Sequence, residues 1–122
     1  MNWNRRKGLH YETQARDYLV HRGLKLVTEN YHCRFGEIDL IMLEQESLCF
    51  IEVKYRKSQG YGGAISAIPP QKQRKIVKTA LFFVAEHKTL AQRAMRFDAL
   101  IIQQHAAGDS DVDWIQNAFY AE

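Results

Sequence analysis

Two runs of alternating apolar residues, split by a four-residue polar break, constrain this chain more than any other feature. The first is Gly36-Glu37-Ile38-Asp39-Leu40-Ile41-Met42-Leu43; the second is Leu48-Cys49-Phe50-Ile51-Glu52-Val53-Lys54-Tyr55-Arg56. Period-two alternation with β-branched residues reads as a pair of strands. Ionisable groups nonetheless interrupt the apolar runs: Glu37 and Asp39 in one, Glu52 and Lys54 in the other. Charges are depleted in strands and costly to bury without partners, so something must compensate them.

The break, Glu44-Gln45-Glu46-Ser47, permits two hairpins of the same register. A two-residue turn at Gln45-Glu46 pairs Glu44 with Ser47. A four-residue loop pairs Leu43 with Leu48. Both extrapolate to Asp39 opposite Glu52 and Glu37 opposite Lys54, all four on one face; a three-residue loop would break that register. Directly opposed side chains lie about 5 Å apart at Cβ. Two carboxylates at that distance repel by on the order of 3 kcal/mol at an effective dielectric of about 20. A bound cation, a lysine or a shared proton relieves such repulsion, and two carboxylates beside a lysine suit a divalent metal that activates water. The alternative is a solvated hairpin face on which Glu37–Lys54 is an ordinary cross-strand ion pair.

The remaining elements follow from periodicity. Leu9 to Arg22 reads as an amphipathic helix, with Tyr11, Ala15, Tyr18, Leu19 and Arg22 at helical spacing and Gly23 as a stop. Glu12 falls on its apolar stripe, pointing either to a polar site or to a first-turn position favoured by the helix dipole. Leu24 to Tyr31 is a strand of weaker pattern. Ser58 to Gly63 is a glycine-rich loop without the lysine and spacing of a phosphate-binding loop. Pro69-Pro70 opens a helix over about Gln71 to His87, with Ile76, Val77, Ala80, Leu81 and Val84 as its buried stripe. Arg96 to Gln103 is a buried strand in which Asp98 is either a ligand or, better, a structural partner of Arg96. Val112 to Phe119 is a last short strand or extended tail. The order αβββαβ with a trailing strand implies an α/β fold: a mixed central sheet flanked by helices.

Composition sets the outer limits. A chain of 122 residues, 46% hydrophobic and 25% charged, suits one globular domain covering residues 1–122. The longest apolar run, Ala80 to Ala85, is too short to cross a bilayer, and the basic start Met1 to Lys7 lacks a secretory h-region. Cys33 and Cys49 have no metal-ligand spacing, and a cytoplasmic protein with reduced thiols is expected. Net charge is only +3, but Val53 to Lys78 holds seven cations (Lys54, Arg56, Lys57, Lys72, Arg74, Lys75, Lys78) and no acid. Such a stretch attracts polyanions, nucleic acid above all, unless it is simply a solvated face. Four of these cations (Lys72, Arg74, Lys75, Lys78) dominate the first turns of the second helix, although cations at a helix N-terminus work against the dipole, and Lys72 is the one best placed to reach the hairpin.

With these residues in view, the chain resembles the YraN family of bacterial proteins, itself similar to the PD-(D/E)XK nuclease superfamily that includes Holliday junction resolvases and restriction endonucleases. The likeness rests on Gly8, Glu12-Thr13-Gln14-Ala15, Asn30-Tyr31, Gly36-Glu37-Ile38-Asp39-Leu40-Ile41 and Phe50-Ile51-Glu52-Val53-Lys54-Tyr55-Arg56. Lys72, Lys75, Arg96-Phe97-Asp98 and Asn117-Ala118-Phe119 complete it. One departure is Ile38, where the motif has proline before the aspartate. The resemblance implies a restriction-endonuclease-like core and a metal-dependent nuclease acting on structured or branched DNA. Asp39, Glu52 and Lys54 would be catalytic. Asp39, Glu52, the Val53 carbonyl and Glu12 would hold Mg²⁺ or Mn²⁺. Arg56, Lys57, Lys72 and Lys75 would bind the nucleic acid. Glu37 stays ambiguous, a homodimer is possible, and a non-catalytic nucleic-acid-binding module on the same fold is the alternative.

Overall fold

The computed structural model describes the backbone of residues 3–57, 68–105 and 108–121, and side chains from His10 onward. The glycine-rich loop at Ser58 to Gly63 lies outside the described residues. The elements are α1 (Trp3–His21), β1 (Lys25–Cys33), β2 (Gly36–Glu44), β3 (Ser47–Lys57), α2 (Pro70–Glu86), β4 (Ala94–Gln104) and β5 (Ser110–Phe119), with a short 3₁₀ turn at Lys88–Leu90. The five strands form one sheet in chain order. Neighbours run antiparallel except β3 and β4, which pair in parallel from Ser47–Ala94 to Lys57–Gln104. The helix between them is the crossover that a parallel pair requires. The architecture is thus the expected mixed α/β sheet with helices.

The sheet carries a core on each face. Ala15 and Leu19 of α1 pack on Leu40, Met42, Cys49, Ile51, Leu100 and Ile102. On the other face, Ile76, Ala80 and Phe83 of α2 pack on Ile38, Ile41, Leu48, Phe50, Phe97 and Phe119. Residues 50 and 51 thus bury on opposite faces, and the alternation carries Glu52 and Lys54 to the α2 side.

Two expectations are corrected. Helix α1 starts at Trp3, not Leu9. Arg5, Arg6 and Lys7 have good helix propensity but no apolar stripe to announce it. Glu12 therefore lies mid-helix, which removes its reading as a first-turn residue. In α2 the buried face is Ile76, Thr79, Ala80 and Phe83, while Leu81 is 52% exposed. The face turns to bring Phe83 edge-on to Tyr31 and Phe50. Of the two readings of the last segment, strand or tail, the strand holds, as β5 paired to β4.

Two local devices fix the frame of the site. Asp98, fully buried, accepts hydrogen bonds from Arg96, from Trp114 Nε1 (3.0 Å) and from the Asn117 backbone N–H (3.0 Å). Arg96 also donates to Glu44 at 2.6 Å. Asp98 is thus structural: it pins β5 to β4 where their register shifts between Phe97 and Ala99. At the start of β2, Gly36 has φ +152°, and a Cβ there would lie 3.2 Å from Thr79 Oγ1 of α2. Only glycine lets this turn approach the helix so closely.

Candidate functional site

The hairpin register is the expected one, with Glu44 paired to Ser47 around a two-residue turn in which Gln45 has φ +54°. The ladder, however, ends at Leu40–Ile51. Beyond it β2 stays with β1 as far as Gly36–Cys33, while β3 follows β4. Asp39–Glu52 and Glu37–Lys54 are therefore not ladder partners. Glu37 pairs instead with His32, whose Nδ1 is 3.1 Å from its carboxylate. The parting strands open a fork, and Asp39 Oδ2 accepts the Val53 N–H across it at 2.8 Å.

A cleft of about 270 Å³ occupies this fork, lined by Glu12 from α1, Glu37 and Asp39 from β2, Glu52, Val53 and Lys54 from β3, and Lys72 from α2. Tyr11 and Tyr55 close one side as a stacked pair, ring centroids 3.9 Å apart at 15°. The expected core residues thus meet in one place. Lys75 and Lys72 reach an adjoining cavity of about 390 Å³, which shares Glu37 and Glu52 and has Gly36 at its edge. Arg56 and Lys57 continue β3 past the cleft and do not line it.

The electrostatics are those of crowded acids. Burial, then the Glu52 charge, pushes the Asp39 carboxyl up to about 8; the Val53 N–H and Lys72 act against the rise, and Glu12 adds to it. Burial also raises Glu12. Hydrogen bonding with Asn30 and Asp39 pulls it back, while Glu37 and Glu29 raise it further. Burial depresses Lys54, and the neighbouring charge of Lys72 depresses it further. Glu52 is only 7% exposed, and Lys72 Nζ forms an ion pair with it. Burial disfavours the Lys72 charge, but Glu52, Asp39 and Glu37 outweigh that and hold it above the usual lysine range.

The donor chemistry fits a hard divalent cation. Every acid in the cleft offers oxygen, and the enclosed Glu12 Oε1 has no hydrogen-bond partner. Among the described residues no three acids, histidines or cysteines already converge as a ligand set; Lys72 rather than a further carboxylate faces Glu52. Cation binding would require that contact to yield.

Sequence reasoning assigned no role to Asn30. It sits in β1 with φ +53° and acts on Glu12. Asparagine tolerates the left-handed region, a signal visible only once the strand is placed. Tyr11 and Tyr55 were likewise legible only as core.

Fold and site together define a mixed α/β domain whose acid- and lysine-lined cleft opens where two strands part. The chain belongs to the uncharacterised protein family UPF0102, whose model matches residues 11–102; this is the family of the YraN resemblance. It is similar to UPF0102 proteins of Psychromonas ingrahamii (47% identical, covering 93% of this chain and 88% of the relative) and Alcanivorax borkumensis (45%, covering 91% and 89%). A UPF0102 protein of Aeromonas hydrophila is 46% identical, covering 93% and 84%. No helix among the described residues is long and apolar enough to cross a membrane.

Proposed function

We propose that this protein is a metal-dependent nuclease that hydrolyses phosphodiester bonds in structured or branched DNA. The observation that carries the reading is the meeting of Glu12, Asp39, Glu52 and Lys54 from three elements in one open cleft. Magnesium or manganese held by Asp39 and Glu52, with the Val53 carbonyl and Glu12 assisting, would supply an acidified water and neutralise phosphoryl charge. The orphaned Glu12 oxygen supports that ligand set. Lys54, its ammonium disfavoured by burial, orients or deprotonates the attacking water, or meets charge developing on the phosphate. Lys72 exchanges Glu52 for a backbone phosphate, with Lys75 beside it and Arg56 and Lys57 farther along the strand. Among the described residues no element offers a base-reading helix or ribbon, so substrate shape rather than sequence directs the cut.

The test is incubation of pure protein with branched, flapped and single-stranded DNA plus Mg²⁺ or Mn²⁺. Cleavage by the wild type should vanish in Glu52→Gln and Lys54→Ala proteins; cleavage that survives both belongs to a contaminant and rejects the reading. One observation favours a second reading, a nuclease fold that binds without cutting: Lys72 already neutralises Glu52. Metal-independent binding with a steep salt dependence, and no turnover on any substrate, would establish it.

A further inference from the structure

A groove of about 570 Å³ lies on the far side of α2, lined by Arg74, Val77, Lys78, Leu81 and the C-terminal Tyr120, among others. Among the described residues it shares none with the cleft. Tyr120 is 70% exposed and Leu81 52%. Among the described residues no acid lines the groove, and α2 has none in its first turn. We propose that this groove is a second nucleic-acid contact, which takes an unpaired nucleotide by stacking its base on Tyr120 and seating its phosphates on Arg74 and Lys78.

Charge and shape select that occupant. Two cations flanking an exposed aromatic ring are what a single strand needs: ammonium and guanidinium groups for the backbone, a flat apolar face for a base. Continuity with the cleft adds to this. At 100° per residue, Lys72, Lys75 and Lys78 step round α2 in 60° increments, and Arg74 stands 40° beyond Lys78. Lys72 and Lys75 line the cavity that adjoins the cleft; Lys78 and Arg74 line the groove. The helix thus carries one basic band from cleft to groove. Lys72 to Lys78 spans about 9 Å along the axis, close to three stacked nucleotides at about 3.4 Å each. The inference rests on the proposed reading for its partner class, nucleic acid, and adds the substrate class: a strand with an unpaired segment beside the cut, such as a flap or tail.

The experiment is fluorescence anisotropy with the full chain in EDTA at about 50 mM salt. Labelled oligothymidine is compared with a blunt duplex of equal length. Tyr120→Ala should weaken binding of the single strand by about 5- to 150-fold and of the duplex by less than about twofold, with Tyr120→Phe restoring the single-strand affinity. Arg74→Ala with Lys78→Ala should flatten the log–log salt slope for the single strand by about 1.4. Unchanged single-strand affinity in Tyr120→Ala, or equal loss on both ligands, overturns the proposal. So does a dimer that Tyr120→Ala splits while binding is unchanged, since the groove is then an interface between copies. Because binding is read without metal, the two readings separate. Tyr120-dependent binding with no cleavage sinks the nuclease alone, and cleavage with Tyr120-independent binding sinks the groove alone.

Discussion

Asp39→Asn isolates the electrostatics of the cleft, because the amide keeps an oxygen for the Val53 N–H while removing the titration. The Asp39 carboxyl is held at about 8 by burial and by Glu52 and Glu12, against an ordinary 3.8. The folded chain therefore keeps a proton between those limits that the unfolded chain releases. Stability contributed at this position is present below about pH 4, falls as pH rises toward 8, and is flat beyond. The whole interval corresponds to roughly 6 kcal/mol at 1.36 kcal/mol per pH unit. Asp39 keeps some solvent contact and shares its proton with neighbouring acids, so about 2–3 kcal/mol should survive. The stability of Asp39→Asn relative to wild type should accordingly grow by about 2–3 kcal/mol from pH 4 to pH 8, or roughly 8–12 °C in Tm for a domain of this size. The assay is urea unfolding followed by far-ultraviolet circular dichroism in EDTA at stepped pH. A difference that stays constant with pH would refute the picture of a buried carboxyl crowded by like charges.

Other outcomes follow from single contacts. Asp98→Ala should cost about 3–5 kcal/mol in urea, because Arg96, Trp114 and the Asn117 N–H lose a shared buried acceptor. Gly36→Ala should cost about 1–3 kcal/mol, from its backbone conformation and from the crowding of the new methyl against Thr79 Oγ1. Thr79→Ala should recover part of that in the double variant by removing the oxygen the new methyl would meet. Lys72→Met should lower stability at neutral pH by about 1–2 kcal/mol by leaving Glu52 buried without its cation. Adding Glu52→Gln should restore most of it, as read from the shift in urea midpoint.

How much of this was legible in the sequence depends on which force set each feature. The hairpin register was, because period-two burial and a two-residue turn act locally on residues 36–57. The fork was not: the same alternation runs on through Asp39 and Glu37, and only competition between β1 and β4 for partners pulls the strands apart. The residue types of the cleft were readable as costly charges in apolar strands. Their compensation was legible in part: Lys72, near the start of α2, is the cation best placed to reach the hairpin, and it does pair there, but its choice of Glu52 is set by how a helix some twenty residues later packs on the sheet. Leu81 was misplaced because α2 contains more apolar residues than one face can bury, and packing of Phe83 decided which face won. Asp98 gave itself away through Arg96, two residues off on the same side of its strand.

The parallel pairing of β3 with β4 also bears on how the chain assembles. Glu12, Asp39, Glu52 and Lys54 all lie within the first 57 residues, so they leave the ribosome together, ahead of Lys72 and of the strand that flanks β3. Parallel pairing across so long a crossover is a slow, non-local event. Until it happens the acids repel one another with only Lys54 near them, and the nascent half-sheet keeps one edge unpaired. Pairing of β4 closes that edge while α2, the crossover that leads to it, brings Lys72 to Glu52, tying maturation of the cleft to completion of the fold.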